Sequence, residues 1–165
     1  MTAEFDPATP NMASVYDYWL GGKDNYPADR AEALRLLTIY PPLRELVREN
    51  RAFVTRAVNW AARQGISQFI DLGAGLPATP SVHQAAREAR PAARVAYVDV
   101  DAVVLSHARA LLATSDGVTA VAADLRDPGA VRRTPSCGPS STRPGPYASS
   151  SARSCTSWTP TPRGR

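Results

Sequence analysis

The chain has 165 residues, of which 44% are hydrophobic and 21% charged, the balance of a single globular domain. Its formal charge of +4 misleads, because six of its 19 basic residues are the arginines at 132, 133, 143, 153, 163 and 165, while all 15 acids precede them. Without basic residues clustered on a folded face the charge is no nucleic-acid or anionic-membrane footprint, and with neither a leader pattern nor an apolar run of ~18 residues the expectation is a cytoplasmic protein.

Residues 1–13 are small, polar and proline-containing, which predicts disorder. A helical cap is expected over 14–64. It opens at Ser14-Val15-Tyr16-Asp17, a hydroxyl N-cap followed three positions on by an acid, and Gly21-Gly22 closes the short run Tyr18-Trp19-Leu20. A second helical pattern covers 28–39, with Leu34, Leu36, Leu37 and Ile39 apolar until Pro41-Pro42 breaks it. Over 43–63 the positions Leu43, Leu46, Val47, Phe53, Val54, Ala57, Val58 and Ala61 recur at helical spacing, and Gly65 supplies a stop.

After residue 65 the period changes. Strand-like runs at 68–72, 94–99 and 118–123 alternate with helix-like runs at 81–90 and 102–113. Short strands alternating with helices of about ten residues predict βαβ units with right-handed crossovers, hence a parallel sheet and an α/β fold. The expected domain half spans 65–131.

Chemistry concentrates at the strand ends. Asp71-Leu72-Gly73-Ala74-Gly75 stands where the first strand gives way to a turn. Glycine there permits positive φ and lets a ligand approach the backbone, and Asp71 offers a charge to a cationic amino-acid moiety. Asp99 ends the second strand, where a carboxylate can accept both hydroxyls of a ribose, and Asp124 ends the third. Asp101 is a better cap for the next helix than Asp99. The run Gly73 to Ala78 also satisfies GxGxxA, so a nicotinamide or flavin site is a rival reading. His83 and His107 lack metal-ligand spacing and are read as packing or surface residues. Tyr16, Tyr18 and Trp19 either pin the first helix to a core or roof a ligand site, with Lys23 and Asp24 then nearby.

DxGxG with an acid ending each of the next two strands resembles the class I S-adenosylmethionine-dependent methyltransferases. More specifically, SVYDYWLGGKDNYPADR (14–30), ENRAFVTRAV (49–58), QFIDLGAGLPATPSVHQAA (68–86), YVDVDAVVLSHARALLA (97–113) and ADLRDP (123–128) resemble a methyltransferase-like family of high-GC bacteria. The resemblance covers about 14–131. It departs mildly where Ser81 and Val100 replace residues that are usually Asn or similarly polar. It implies a Rossmann-like α/β/α three-layer fold and S-adenosyl-L-methionine as cofactor. It also implies cofactor contacts from Asp71, Gly73, Gly75, Asp99 and Asp124, with Asp99 on the ribose and Asp124 on the adenine amino group. It names no catalytic base and no acceptor; a small molecule is the guess, with no nucleic acid, membrane or metal.

The fold is expected to be incomplete. Residues 132–165 hold no Leu, Ile, Val, Met, Phe or acid, so they cannot bury enough to offset ordering at ~1–2 kcal/mol per residue. Cys137 and Cys155 both lie there, without CxxC or His spacing, and predict neither a zinc site nor a disulfide framework. Reading the back-translated codons of Cys155-Thr156-Ser157-Trp158-Thr159-Pro160-Thr161-Pro162 one base earlier allows Leu-His-Phe-Leu-Asp-Ala-Asp-Ala. The same shift turns Ser149-Ser150-Ser151 aliphatic. That is a buried strand and a polar turn, which the family resemblance places at this point. The alternative is a genuine Pro/Ser linker in a non-catalytic binding module. The expectation is a frame slip at 131–134, a disordered tail from 132, and an open first-strand edge.

Overall fold

Three helices precede the first strand: α1 (Met12–Leu20), α2 (Pro27–Ile39) and α3 (Leu43–Arg63). The computed structural model describes residues 6–133 and 147–151. The first helix starts earlier than the Ser14 cap implies. Asn11, in extended backbone, is its N-cap, and its side-chain oxygen accepts from the amides of Ala13 at 2.8 Å and Ser14 at 3.4 Å. Ser14 is instead buried within the helix. Asp17 has no capping role either: its carboxylate accepts from the Asp24 amide at 3.0 Å and the Asn25 amide nitrogen Nδ2 at 2.9 Å, tying down the α1–α2 loop. Structure already exists at the expected disordered start, where Asp6 holds a turn through Ala8 N and Thr9 Oγ1.

The cap has its own small core of Val15, Trp19, Ala33 and Val47, and Trp19 Nε1 donates to the Ala33 carbonyl at 3.3 Å. Burying a side chain of this size is worth ~1.5–3 kcal/mol. Asp29 is almost fully buried, accepting from the Asn11 and Tyr26 amides at 2.7 Å each.

The α/β half runs β1 (Gln68–Leu72), α4 (Val82–Arg87), β2 (Arg94–Asp99), α5 (Ala102–His107) continuing into a π-helical turn over Ala108–Leu112, β3 (Val118–Ala122), α6 (Pro128–Arg133) and β4 (Tyr147–Ser151). All pairs are parallel, in the order β3-β2-β1-β4. The strands alternate as the period of two demands. Phe69, Val95, Tyr97 and Val118 join α3 and α4 in one core through Val58, Ala61, Ala62, Val82 and Ala86. Val98 and Val121, with Ile70 and Leu72, pack on the other face with Val131 of α6. This is the expected α/β/α layering.

One expectation fails at five residues. Tyr147–Ser151 pairs with β1 from Gln68↔Tyr147 to Leu72↔Ser151, so the β1 edge is not open and structure does not stop at 132. A parallel ladder is built from backbone N–H and C=O groups, so a serine-rich segment can occupy the slot without the aliphatic side chains that a buried strand usually supplies. The rest of the expected tail, 134–146 and 152–165, lies outside the described residues.

Candidate cofactor-binding site

Above the carboxyl ends of β1, β2 and β3 lies a crevice of about 940 Å³, within the size range of small-molecule sites. Its floor is the turn after β1 and the ends of β2 and β3; α1 with Gly21 and Gly22 roofs it, and Asn50, Arg51 and Val54 of α3 form a wall. All five residues expected from the strand ends, Asp71, Gly73, Gly75, Asp99 and Asp124, line it together. A parallel sheet makes this inevitable, since successive strands end on the same side.

The turn after β1 is held by hydrogen bonds to β2. Gly73 N and Ala74 N donate to the Val98 carbonyl at 2.8 and 3.1 Å, and Gly75 N donates to Asp99 Oδ2 at 3.1 Å. Gly73 and Gly75 have φ of +70° and +65°. A Cβ at Gly75 would meet nothing within 4 Å, so it is the backbone conformation that requires glycine there. Asp99 Oδ1 also accepts from the Val100 and Asp101 amides at 2.8 and 3.0 Å. One carboxylate thus joins two turns. Asp101, as expected, caps α5 through the amides of Val103 and Val104.

Asp71 is buried at 7% exposure. Asp124 is partly exposed and paired with Arg126, Nη2 to Oδ2 2.6 Å, and that guanidinium draws its carboxyl down to about 2. Both acids are therefore in the crevice, but in unlike surroundings.

The lining was only partly anticipated. Asp17, Asn50, Arg51 and Asp101 belong to it, although no local pattern marks any of them as a ligand group. Tyr16 lines the crevice and is anchored to α3, accepting from Asn50 Nδ2 at 3.0 Å and donating to the Val47 carbonyl at 3.4 Å. Trp19 is a core residue and Tyr18 lies against Arg44, so α1 both pins and roofs. Lys23 and Asp24 are not among the lining residues. His83 bonds to Tyr97 Oη at 3.0 Å and lies 3.1 Å from Ser81 Oγ, a packing role; burial, with the Arg87 charge, pushes its pKa down.

The described lining carries five aspartates (17, 71, 99, 101 and 124) and one cation, Arg51. A dinucleotide pyrophosphate needs free amides and positive potential. Here the amides of residues 73–75 are all engaged within the protein, and the next helix begins at Val82, well beyond the glycine turn. The geometry disfavours the nicotinamide or flavin reading.

The comparisons agree with that geometry. The model of the S-adenosyl methyltransferase family matches residues 1–140, and the chain belongs to this family. A Thermobifida fusca protein assigned as a methyltransferase is 46% identical with a TM-score of 0.76, over 79% of this chain and 49% of its own. A DUF574 family protein from Streptomyces avermitilis is 37% identical with a TM-score of 0.79, over 87% of this chain and 56% of its own. The chain thus spans about half the length of these solved structures. No curated protein is matched. Among the described residues no helix is long and apolar enough to cross a membrane.

Proposed function

We propose that the chain is the cofactor-binding half of a cytoplasmic S-adenosyl-L-methionine-dependent methyltransferase acting on a small molecule, and that it is truncated and inactive as it stands. The observation that carries the cofactor reading is the acidic crevice, built where a cofactor with an amine, a sulfonium and ribose hydroxyls finds acceptors. Asp99 is the ribose acceptor, Asp71 attracts the amino-acid moiety, Gly73 and Gly75 let the ligand lie against the backbone, and Asp124 faces the adenine amino group. The cofactor supplies an electrophilic methyl group, attacked in line by an acceptor O, N, C or S atom. The protein's part is positioning, for which effective molarities correspond to ~7–11 kcal/mol.

Truncation is supported by the composition of residues 132–165 and by their shifted codons. The slot beside β1 is filled by Tyr147–Ser151, the place where the shifted frame reads aliphatic at 149–151. A frame slip at 131–134 accounts for both.

Calorimetric titration of S-adenosylhomocysteine into this chain and into a frame-restored protein tests the reading, with Asp99→Ala as control and NADH as rival ligand. Binding by the restored protein, lost in Asp99→Ala, is expected. Binding of NADH in its place, or of neither ligand by a folded restored protein, overturns it. An intact gene with no aliphatic strand encoded in the neighbouring frame removes the frame slip.

A further inference from the structure

We infer that Arg51 of α3 is the carboxylate-binding residue of this crevice, gripping the carboxylate of an α-amino-acid moiety in the bound ligand; the inference rests on the cofactor reading above.

Three observations lead there. The first is charge. With five aspartates and one guanidinium in the described lining, an anionic group entering the crevice has one cationic partner. The second is an unused donor. Arg51 Nη2 is fixed by the carbonyls of Ala78 at 3.4 Å and Pro80 at 2.5 Å, whereas Nε is shielded from solvent and has no partner. With Nη2 and Nε both enclosed by the protein, Nη1 is the guanidinium nitrogen left to a ligand in the crevice that Arg51 lines. Fixing Nη2 on two carbonyls sets the orientation of the whole planar guanidinium.

The third is placement. Asp71 pairs in register with Tyr97, whose side chain packs in the core beneath α3, so Asp71 stands on the α3 side of β1. The charges of both Asp71 and Arg51 act on the Tyr97 hydroxyl, whose pKa is raised chiefly by burial. A carboxylate acceptor and a guanidinium donor therefore face the same end of the crevice, beside the glycine turn. That is the pair of charges an α-amino acid zwitterion needs. Ribose and adenine are left to the β2 and β3 ends.

The test uses the full chain and two ligands. S-adenosylhomocysteine carries the amino-acid moiety, and 5′-methylthioadenosine has the same adenine, ribose and thioether without it. Arg51→Gln is expected to weaken S-adenosylhomocysteine roughly 10- to 100-fold, the range for a lost charge-assisted hydrogen bond, and to leave methylthioadenosine within about twofold. Arg51→Lys, which keeps the charge but not the planar guanidinium, is expected to fall between on S-adenosylhomocysteine and to match the parent on methylthioadenosine. It carries the test if the Gln variant does not fold. Equal losses on both ligands, or no loss on either, overturn the role of Arg51 while the cofactor reading stands. Binding of neither ligand by the parent chain overturns this inference for it, and overturns the cofactor reading as well if the folded frame-restored protein also binds neither.

Discussion

Asp99 Oδ2 accepts the amide of Gly75 at 3.1 Å across 24 residues of sequence, so the end of β2 holds the glycine turn that follows β1. The same carboxylate accepts two further amides through Oδ1. Its removal therefore acts on structure as well as on ligand. Asp99→Ala strips acceptors from three backbone N–H groups, a cost of about 1–3 kcal/mol, while Asp99→Asn keeps one oxygen and costs less. Urea unfolding should rank parent, Asn, Ala in falling stability. Equal stability of the two variants would mean that solvent replaces the carboxylate in the turn.

Gly22 and Gly21 adjoin in sequence but differ in kind. A Cβ at Gly22 would fall 1.9 Å from Asp17 Oδ1, whereas one at Gly21 would meet nothing within 4 Å. Gly22→Ala must displace the Asp17 carboxylate and break its bonds to Asp24 and Asn25, for about 2–3 kcal/mol. Gly21→Ala costs the left-handed conformation alone, about 1 kcal/mol. Denaturant midpoints decide, and a larger loss at Gly21 would contradict the close approach at Gly22.

Acid should destabilise the fold through His83. Burial and the Arg87 charge hold its pKa below the ordinary 6.5, and its ring faces Tyr97 Oη and Ser81 Oγ. The unfolded chain therefore takes up a proton at a pH where the folded chain resists it. This contribution is complete above 6.5 and lost as the pH falls towards the folded value. The midpoint of urea unfolding should fall from about pH 7.5 to about pH 5.5, and fall less in His83→Gln. Parallel slopes would assign the acid sensitivity to other groups.

The chain's local patterns determined a good deal. Periodicity and punctuation located α2, α3 and the first three strands within a residue or two, because an amphipathic stripe or a short β-rich run ended by Gly or Pro has few other uses. That Asp71, Gly73, Gly75, Asp99 and Asp124 would meet in one crevice was legible because parallel strands of a βαβ fold bring their carboxyl ends to one side. The first helix was misplaced for a physical reason. Asn11 and Ser14 are both good caps, and what chose between them was the burial of Ser14 and the bond from Asn11 N to the buried Asp29, 18 residues on.

What the sequence by itself determined is thus the class of fold, the run of elements and the acids at the strand ends, all consequences of residue type and spacing along the chain. Tertiary structure alone decided which other groups meet those acids. It set Arg51 on the carbonyls of Ala78 and Pro80 in the crevice wall, used the glycine turn's own amides on β2, and seated Tyr147–Ser151 beside β1. Each depends on contacts between residues distant in sequence, where backbone hydrogen bonding and packing select partners that no local pattern encodes.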